Sequence, residues 1–274
     1  MLVITRSKIL SNWFGAVDPF EKIKNIDGLV VRSKEGRTTQ RFEIDGQGFY
    51  AKLHEGIGWV EVIKNLLQLR LPIVGARNEW EAINILHKLG VDTMTAVAFG
   101  KKGLNPAAQT SYVVTEELTN TLSLAVYAEK WAENPPTFLL KKSIVEKVAE
   151  IARTLHVNGI NHRDLYICHF LLDIQENINE ISYRGIRLFL VDLHRAQVRP
   201  SVPQRWLIKD VGSIYFSAMD IGLTRRDIYR FLREYYRKPL RTIFTEESDF
   251  LRKVQKRANN LYLRDFKCEP RQLF

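Results

Sequence analysis

Cysteine is scarce in this sequence: Cys168 and Cys268 are the only two in 274 residues, and they lie far apart. They form neither a Cys-x-x-Cys metal motif nor a disulfide framework, which predicts a reducing, cytoplasmic compartment. Long apolar runs are also missing, since no stretch approaches the roughly 18 apolar residues of a membrane-spanning helix. The first 20 residues lack the pattern of a cleaved leader. We therefore expect a protein that is soluble or peripheral to a membrane.

Acidic residues are also in deficit, with 31 Asp and Glu against 41 Lys and Arg and a net charge of +10. Such an excess indicates partners rich in phosphate or acidic groups: nucleic acid, anionic lipid, a phosphorylated glycan or an acidic protein. Solubility alone is the alternative explanation. Internal repeats and low-complexity tracts are absent, and a hydrophobic content of 45% predicts a large globular core.

Short strand-like runs with glycine turns occupy the first part of the chain. The predicted strands are 29–32, 39–44, 49–53, 96–99 and 111–115, with a hairpin turn at Asp45-Gly46. Two helices, 59–71 and 76–89, interrupt them, and the remainder is mostly helical. This order predicts an α+β fold with two lobes: a β-rich N-terminal nucleotide-binding lobe, residues 1–117, and a mainly helical C-terminal catalytic and acceptor-binding lobe, residues 118–274.

The segment from Leu155 to Leu172 carries the most informative motif, His-Arg-Asp followed by a short apolar strand. A helix with one apolar face leads into it and ends at His156, and Gly159 then supplies a left-handed cap. This arrangement is typical of the catalytic loop of protein-kinase-like phosphotransferases, in which the Asp accepts the proton of the attacking hydroxyl. Asp164 is therefore the candidate base, and a loop Asp making turn hydrogen bonds is the alternative.

A second apolar strand, 188–191, ends in the carboxylate of Asp192. Hard carboxylate oxygens suit Mg²⁺, so Asp192 is the candidate metal ligand, with a turn-capping Asp as the alternative. His169 stands where protein kinases place the Asn that binds a second metal ion. Imidazole is a poor ligand for Mg²⁺, so a histidine satisfied by hydrogen bonds is the favoured interpretation and a metal ligand the other.

Lys52 lies in a predicted strand in which it points away from the face of Ala51 and Leu53. It fits the strand lysine that binds nucleotide phosphates in kinases, although an exposed strand lysine is the alternative. The ion-pair partner of Lys52 should be a carboxylate on the following helix. Glu79 shares the apolar stripe of that helix, where a carboxylate is costly unless a cation meets it, whereas Glu81 lies on the polar side. Glu79 is the predicted partner.

Some features depart from the protein-kinase pattern. No Gly-x-Gly-x-x-Gly precedes Lys52, and only Gly36 offers a loop to cover phosphates. The stretch Gln175–Gly185 is interpreted as an extended hairpin loop. By analogy with the fold alone, the nucleotide base should meet backbone groups near Glu116 and Leu118.

Two regions bear on the acceptor. An apolar stripe runs along residues 59–70 beside Lys64 and Arg70, and it could lie on a membrane surface, although packing on the fold is the favoured interpretation. Basic residues interleaved with aromatic ones dominate the chain after Asp192. Together they indicate a phosphorylated or acidic acceptor.

Four segments closely resemble the lipopolysaccharide core heptose(I) kinases of Gram-negative bacteria. They are Glu79–Ile83, Gly103–Pro106, Asn161–Phe170 and Val191–Val198, and the segments 132–136 and 215–224 are also similar. The resemblance covers nearly the whole chain. In that family His169 and the sequence Asp192-Leu193-His194 belong to the motif.

The resemblance implies phosphorylation of the first heptose of the inner core, with ATP and Mg²⁺, at the cytoplasmic face of the inner membrane. It implies a lipid A-linked acceptor and peripheral contact with the inner membrane, and an acidic protein partner stays open. Nucleic acid is not an expected partner. The alternatives are a kinase of the same fold acting on protein tyrosines, and a kinase-like binding module without activity.

Overall fold

A computed structural model describes residues 1–34, 36–56, 58–67, 75–105, 107–174 and 185–270. In those ranges no helix has the length and apolar character that a membrane span requires. The chain packs into two compact units. The first comprises Met1–Ile85, Met94–Thr119 and Leu193–Arg195; the second comprises Leu86–Thr93, Asn120–Asp192 and Ala196–Phe274. The assignment of 1–117 to nucleotide binding and 118–274 to catalysis stays a prediction.

The first unit is built on a six-stranded antiparallel sheet with the order β1-β5-β6-β4-β3-β2. Its strands are β1 (Leu2–Thr5), β2 (Leu29–Lys34), β3 (Arg37–Ile44), β4 (Gln47–His54), β5 (Ala96–Lys102) and β6 (Thr110–Glu116). Its helices are α1 (Lys8–Phe14), α2 (Pro19–Lys24), α3 (Gly58–Leu67) and the start of α4 (Arg77–Lys88). The five predicted strands are all present, whereas β1, α1 and α2 were not predicted.

The turn between β3 and β4 shows why the strand register is as predicted. Asp45 and Gly46 both have positive φ, 50° and 78°, as a type I′ hairpin turn requires. Their hairpin pairs Phe42 with Phe49 across the sheet. These two rings stack at 5.6 Å between centroids and lie in the buried core of the unit.

The two unpredicted helices complete that core. Ser7 caps α1 and Asp18 caps α2, where Pro19 occupies the first helical turn. Each helix buries two apolar side chains: Leu10 and Phe14 from α1, Phe20 and Ile23 from α2. Both helices have seven residues or fewer, too few for the periodicity on which helix prediction depends.

The apolar stripe predicted in α3 does not pack on the fold in its described part. Of the five stripe residues, Trp59, Ile63 and Leu67 are 55%, 52% and 80% exposed, and the neighbouring Val60 is 84% exposed. The side chains of Val62 and Leu66, Arg70 and the predicted continuation to Leu71 lie outside the described residues.

The second unit is mainly helical. Its strands are β7 (Thr121–Ser123), β8 (Ile160–Asn161), β9 (Phe170–Asp173), β10 (Leu188–Leu190) and β11 (Gln197–Val198), which form a sheet β10-β9-β7 and a pair β11-β8. Its helices are α5 (Leu124–Tyr127), α6 (Phe138–Val157), α7 (Gln204–Ser217), α8 (Arg225–Tyr236), α9 (Leu240–Glu246) and α10 (Ser248–Phe266). A β-rich first part and a helical second part confirm the predicted α+β class. Of the predicted loop Gln175–Gly185, residues 175–184 lie outside the described part.

Helix α6 aims the loop that follows it. Its predicted apolar face is buried, including Val148, Ile151 and Leu155. Gly159 follows with a φ of 74°, and a Cβ there would meet the carbonyl oxygen of Arg199 at 1.8 Å. A side chain at this position would therefore force the loop away from β11, so glycine fixes the direction in which the chain enters the His-Arg-Asp sequence.

Candidate active site

Lys52 and Glu79 form a buried ion pair in the first unit. Lys52 lies in β4 between Thr39 of β3 and Val113 of β6, and its Nζ is 2.5 Å from Oε1 of Glu79. Glu79 is only 1% exposed and Lys52 15%. Glu81, the rejected candidate, instead pairs with Arg77 in the more exposed part of the same helix.

The second carboxylate oxygen of Glu79 is buried and has no hydrogen-bond partner within the described part of the chain. A buried carboxylate is costly unless cations or donors compensate it. Lys52 is thus the main compensation for Glu79, and the pair holds the ammonium at a defined position on β4.

His54, two residues beyond Lys52, is a buried group that sequence reasoning did not single out. Burial, together with the positive charges of Arg37, His194 and Lys52, lowers its pKa to about 3. The imidazole is therefore neutral at pH 7. It lies at the end of β4 on the same strand face as Lys52, and its buried Nε2 has no hydrogen-bond partner in the described part of the chain.

In the second unit, Asp210 of α7 anchors the backbone of the His-Arg-Asp loop. This carboxylate is fully buried and accepts hydrogen bonds from the backbone N–H groups of His162 at 2.7 Å and Arg163 at 2.8 Å. Arg163 has a φ of 76°, an uncommon conformation for a residue with a side chain, and two hydrogen bonds to a carboxylate can hold it. Asp210 therefore fixes the backbone immediately before Asp164.

Sequence reasoning missed Asp210, although a signal was present. It lies in α7 with Leu207 three residues before it and Ile214 four residues after it, so it occupies an apolar stripe as Glu79 does. The same argument applied to both helices would have identified both carboxylates.

Asp164 itself is 18% exposed and faces Lys209, whose Nζ is 3.7 Å from its Oδ1. Lys209 also lies in α7, one residue before Asp210. In the sequence it was only one of the many basic residues that follow Asp192. A lysine beside this part-buried carboxylate supplies positive charge close to the place where an acceptor hydroxyl would attack a phosphate. Helix α7 thus contributes both an anchor for the loop and a cation next to its Asp.

His169 is held between Asp164 and Asp192. Its Nδ1 lies 2.7 Å from the backbone carbonyl oxygen of Asp164, to which it donates, and its Nε2 lies 3.5 Å from Oδ2 of Asp192. Burial by itself would lower the pKa of His169. Hydrogen bonds with the Cys168 side chain and the Asp164 carbonyl outweigh burial and, with the charge of Asp192, raise the pKa to about 9. The geometry shows a histidine hydrogen-bonded through Nδ1, and whether His169 also binds a metal stays a prediction.

Asp192 follows β10 with a φ of 62°, a strained conformation for a non-glycine residue that is common at functional sites. The N–H of Val191 donates to the carbonyl of His169 at 2.9 Å and so fixes the preceding backbone. The side chain is 27% exposed. Across the described residues no cluster of three or more His, Cys, Asp or Glu could hold a metal. Mg²⁺ usually takes one or two carboxylates together with substrate phosphates and water, so Asp192 fits such a partial site.

Glu116 is the last residue of β6, opposite Phe49 of β4, and Leu118 follows two residues later. Glu116 accepts a hydrogen bond from Gln47 at 3.2 Å, and its N–H donates to Thr95; Leu118 is half-buried. The carboxylate between them, Glu117, is occupied by two hydrogen bonds from Arg41. Their role in binding a base stays a prediction.

An apolar cavity lies within the helices of the second unit. Side chains from α6, α7, α8 and α10 line it, including Val148, Ile214, Leu232, Leu251 and Val254. Among its lining residues Asp227 alone carries a charge, and that carboxylate is paired with Lys141 and Arg230. The cavity is small, about 80 Å³, so it is a packing gap among apolar side chains.

Comparisons with known proteins agree with this chemistry. Residues 21–235 match the model of the lipopolysaccharide kinase (Kdo/WaaP) family. A lipopolysaccharide core heptose(I) kinase WaaP of Pseudomonas aeruginosa is 51% identical over 92% of each chain. The Escherichia coli K12 protein of the same name is 44% identical over 95% of this chain and 97% of that one. A solved structure described as WaaP in complex with acyl carrier protein is 44% identical, with a TM-score of 0.83, and the match covers 96% of this chain and all of that one.

Proposed function

The chain belongs to the lipopolysaccharide kinase (Kdo/WaaP) family, and we propose that it transfers phosphate from ATP to the first heptose of the lipopolysaccharide inner core. Relatives bearing that activity in their names are 44% to 51% identical over more than nine tenths of the chain. The observation that carries the proposal is the loop of Asp164, held by the buried Asp210 and facing Lys209.

Asp164 is the base that orients and deprotonates the attacking heptose hydroxyl. Its backbone is fixed from one side by Asp210 and from the other by His169, which donates to its carbonyl. A fixed backbone limits the positions of the carboxylate, and a well-placed base contributes about 10²–10⁴ in rate. Lys209 adds positive charge next to the hydroxyl as phosphate arrives.

Lys52 binds the phosphates of ATP, and Glu79 holds the ammonium in position for this task. The burial of the pair supports this role. A buried carboxylate needs its cation, so Glu79 keeps the Lys52 ammonium at one position instead of leaving it mobile in solvent. Glu116 and Leu118 are proposed to meet the nucleotide base through their backbone groups.

Asp192 is the residue that would hold Mg²⁺. When bound, the ion neutralises charge on the phosphates and orients them. The carboxylate is part-exposed at the end of a strand, and its conformation is set by the backbone before it. His169 lies next to Asp192, with Nε2 at 3.5 Å from Oδ2, and would position that carboxylate.

The test is phosphate transfer by the purified protein from labelled ATP to dephosphorylated core oligosaccharide and, separately, to a polypeptide rich in tyrosine. We expect labelled heptose and an unlabelled polypeptide. Asp164→Asn should lose about 10²–10⁴ of the rate. Asp173→Asn is a matched control, since Asp173 is 17% exposed and lies in β9 of the same unit. Equal rates for Asp164→Asn and Asp173→Asn would exclude Asp164 as the base.

We also propose that the protein works at the cytoplasmic face of the inner membrane with an acidic protein partner. The acceptor is part of a membrane lipid, and the net charge of +10 favours anionic surfaces. A relative's structure contains acyl carrier protein, which is a partner of the proposed chemistry. The purified protein should bind acyl carrier protein, and a lack of binding would exclude it as the acidic partner.

A further inference from the structure

Helix α3 presents an apolar face to solvent. Trp59, Val60, Ile63 and Leu67 are 55%, 84%, 52% and 80% exposed. At about 100° per residue, these positions fall within one arc of roughly a quarter turn, so they form a single face. We call these four side chains the α3 apolar face.

An exposed apolar face of this kind needs an occupant. Single exposed apolar residues are ordinary on protein surfaces, but a contiguous group marks an interaction site. The core of the first unit forms elsewhere, from α1, α2 and the sheet, and none of the four side chains belongs to it. The α3 apolar face is therefore not a part of the core that happens to be accessible.

The chemistry of the face fits the surface of a lipid bilayer. Trp is enriched at the level of lipid headgroups, and short amphipathic helices with apolar and basic faces lie in that layer. Lys64 is exposed and borders the α3 apolar face by helical spacing; since the α3 sequence also contains Glu61, the helix has no net charge of its own. The protein as a whole carries a net charge of +10, which favours anionic lipid.

A second copy of the chain is a poorer occupant. Helix α3 has ten residues, which is about 15 Å of helix. A stable dimer interface buries about 800 Å² on each partner, more than four side chains of one short helix can provide. A bilayer needs no matching surface of fixed shape, so a small face is sufficient for it.

We propose that α3 is a membrane-docking helix that lies in the headgroup layer of an anionic bilayer through its α3 apolar face. This inference rests on the proposed function, because an acceptor anchored in a membrane lipid requires the enzyme to work at that surface. Docking lowers the search for the acceptor from three dimensions to two and so acts on the apparent affinity for lipid-anchored acceptor.

The experiment compares the full chain with Trp59→Ser/Ile63→Ser in sedimentation with vesicles of phosphatidylcholine alone or mixed with phosphatidylglycerol. Leu29→Ser/Val30→Ser is the matched control, because these residues are 69% and 52% exposed on strand β2 of the same unit. Wild type and control should bind mixed vesicles equally. The α3 variant should bind at least about tenfold more weakly, with unchanged turnover of soluble core oligosaccharide and a raised KM for vesicle-embedded acceptor.

Equal vesicle binding by the α3 variant and wild type would overturn the proposal. So would sedimentation equilibrium showing a wild-type dimer that Trp59→Ser/Ile63→Ser converts to monomer, since the occupant would then be a second copy. If wild type binds vesicles through α3 but phosphorylates no core oligosaccharide, the docking helix stands and the proposed function fails.

Discussion

The Lys52–Glu79 pair allows stability and activity to be separated by mutation. Lys52→Met leaves Glu79, which is 1% exposed, without its cation. Removing one partner of a buried ion pair costs about 3–5 kcal/mol. In a chain of this size that corresponds to a fall in melting temperature of roughly 10 °C. Glu79→Leu should cost less, since Lys52 retains more exposure and can turn towards solvent.

The double variant Lys52→Met/Glu79→Leu removes both charges and should recover stability to within about 1 kcal/mol of wild type. It should still be inactive, because the cation that binds the nucleotide phosphates is gone. Calorimetry would measure stability, and transfer from labelled ATP would measure activity. Glu81→Gln is the control in the same helix, where loss of the exposed pair with Arg77 should cost less than about 1 kcal/mol.

Two results would refute this reasoning. If Lys52→Met has the melting temperature of wild type, leaving Glu79 buried without its cation does not destabilise the protein. If the double variant transfers phosphate at a rate near wild type, Lys52 does not bind the nucleotide.

Further expectations follow from the loop and from the buried histidine. Asp210→Ala should lower the free energy of unfolding by about 3 kcal/mol, since the N–H groups of His162 and Arg163 lose their shared acceptor. Asp210→Asn should lower it less, and denaturant titration of both variants measures the difference. Lys209→Met should lower turnover about 10²-fold with little change in stability, and Lys209→Arg should restore part of the rate; equal turnover of all three would contradict the charge role. The pKa of His54 is about 3 in the folded protein, below the ordinary histidine value of 6.5, so the unfolded chain binds the proton more readily. Stability should therefore be complete above pH 6.5 and fall by roughly 2 kcal/mol at pH 5, and His54→Leu should remove that part of the pH dependence in unfolding titrations.

Local patterns were sufficient for five of the six strands of the first unit's sheet and for the Lys52–Glu79 pair. The alternation of side chains along the strand predicted the face on which Lys52 lies. Helical spacing predicted that Glu79, and not Glu81, lies on the apolar side of its helix. Each inference needs only the periodicity of one element, and the cost of an unpaired charge on an apolar stripe supplied the contact between them. The hairpin at Asp45-Gly46 was equally local.

The parts that were not predicted depend on tertiary contact. Lys209 meets Asp164 only because α7 packs against the loop, and nothing near either residue in sequence indicates this. Asp210 contacts His162 across 48 positions, although its apolar stripe gave a usable signal. The exposure of Trp59 and Ile63 reverses the packing expected for α3, because periodicity shows that a face is apolar without showing what covers it.

The most direct measurement is mass spectrometry of the core oligosaccharide from cells that lack this gene and carry it back as wild type or as Asp164→Asn. The account predicts a phosphate on the first heptose with the wild-type gene, its absence without the gene, and its absence with Asp164→Asn present at wild-type protein level. A phosphorylated heptose in the cells without the gene, or in those with Asp164→Asn, would contradict it.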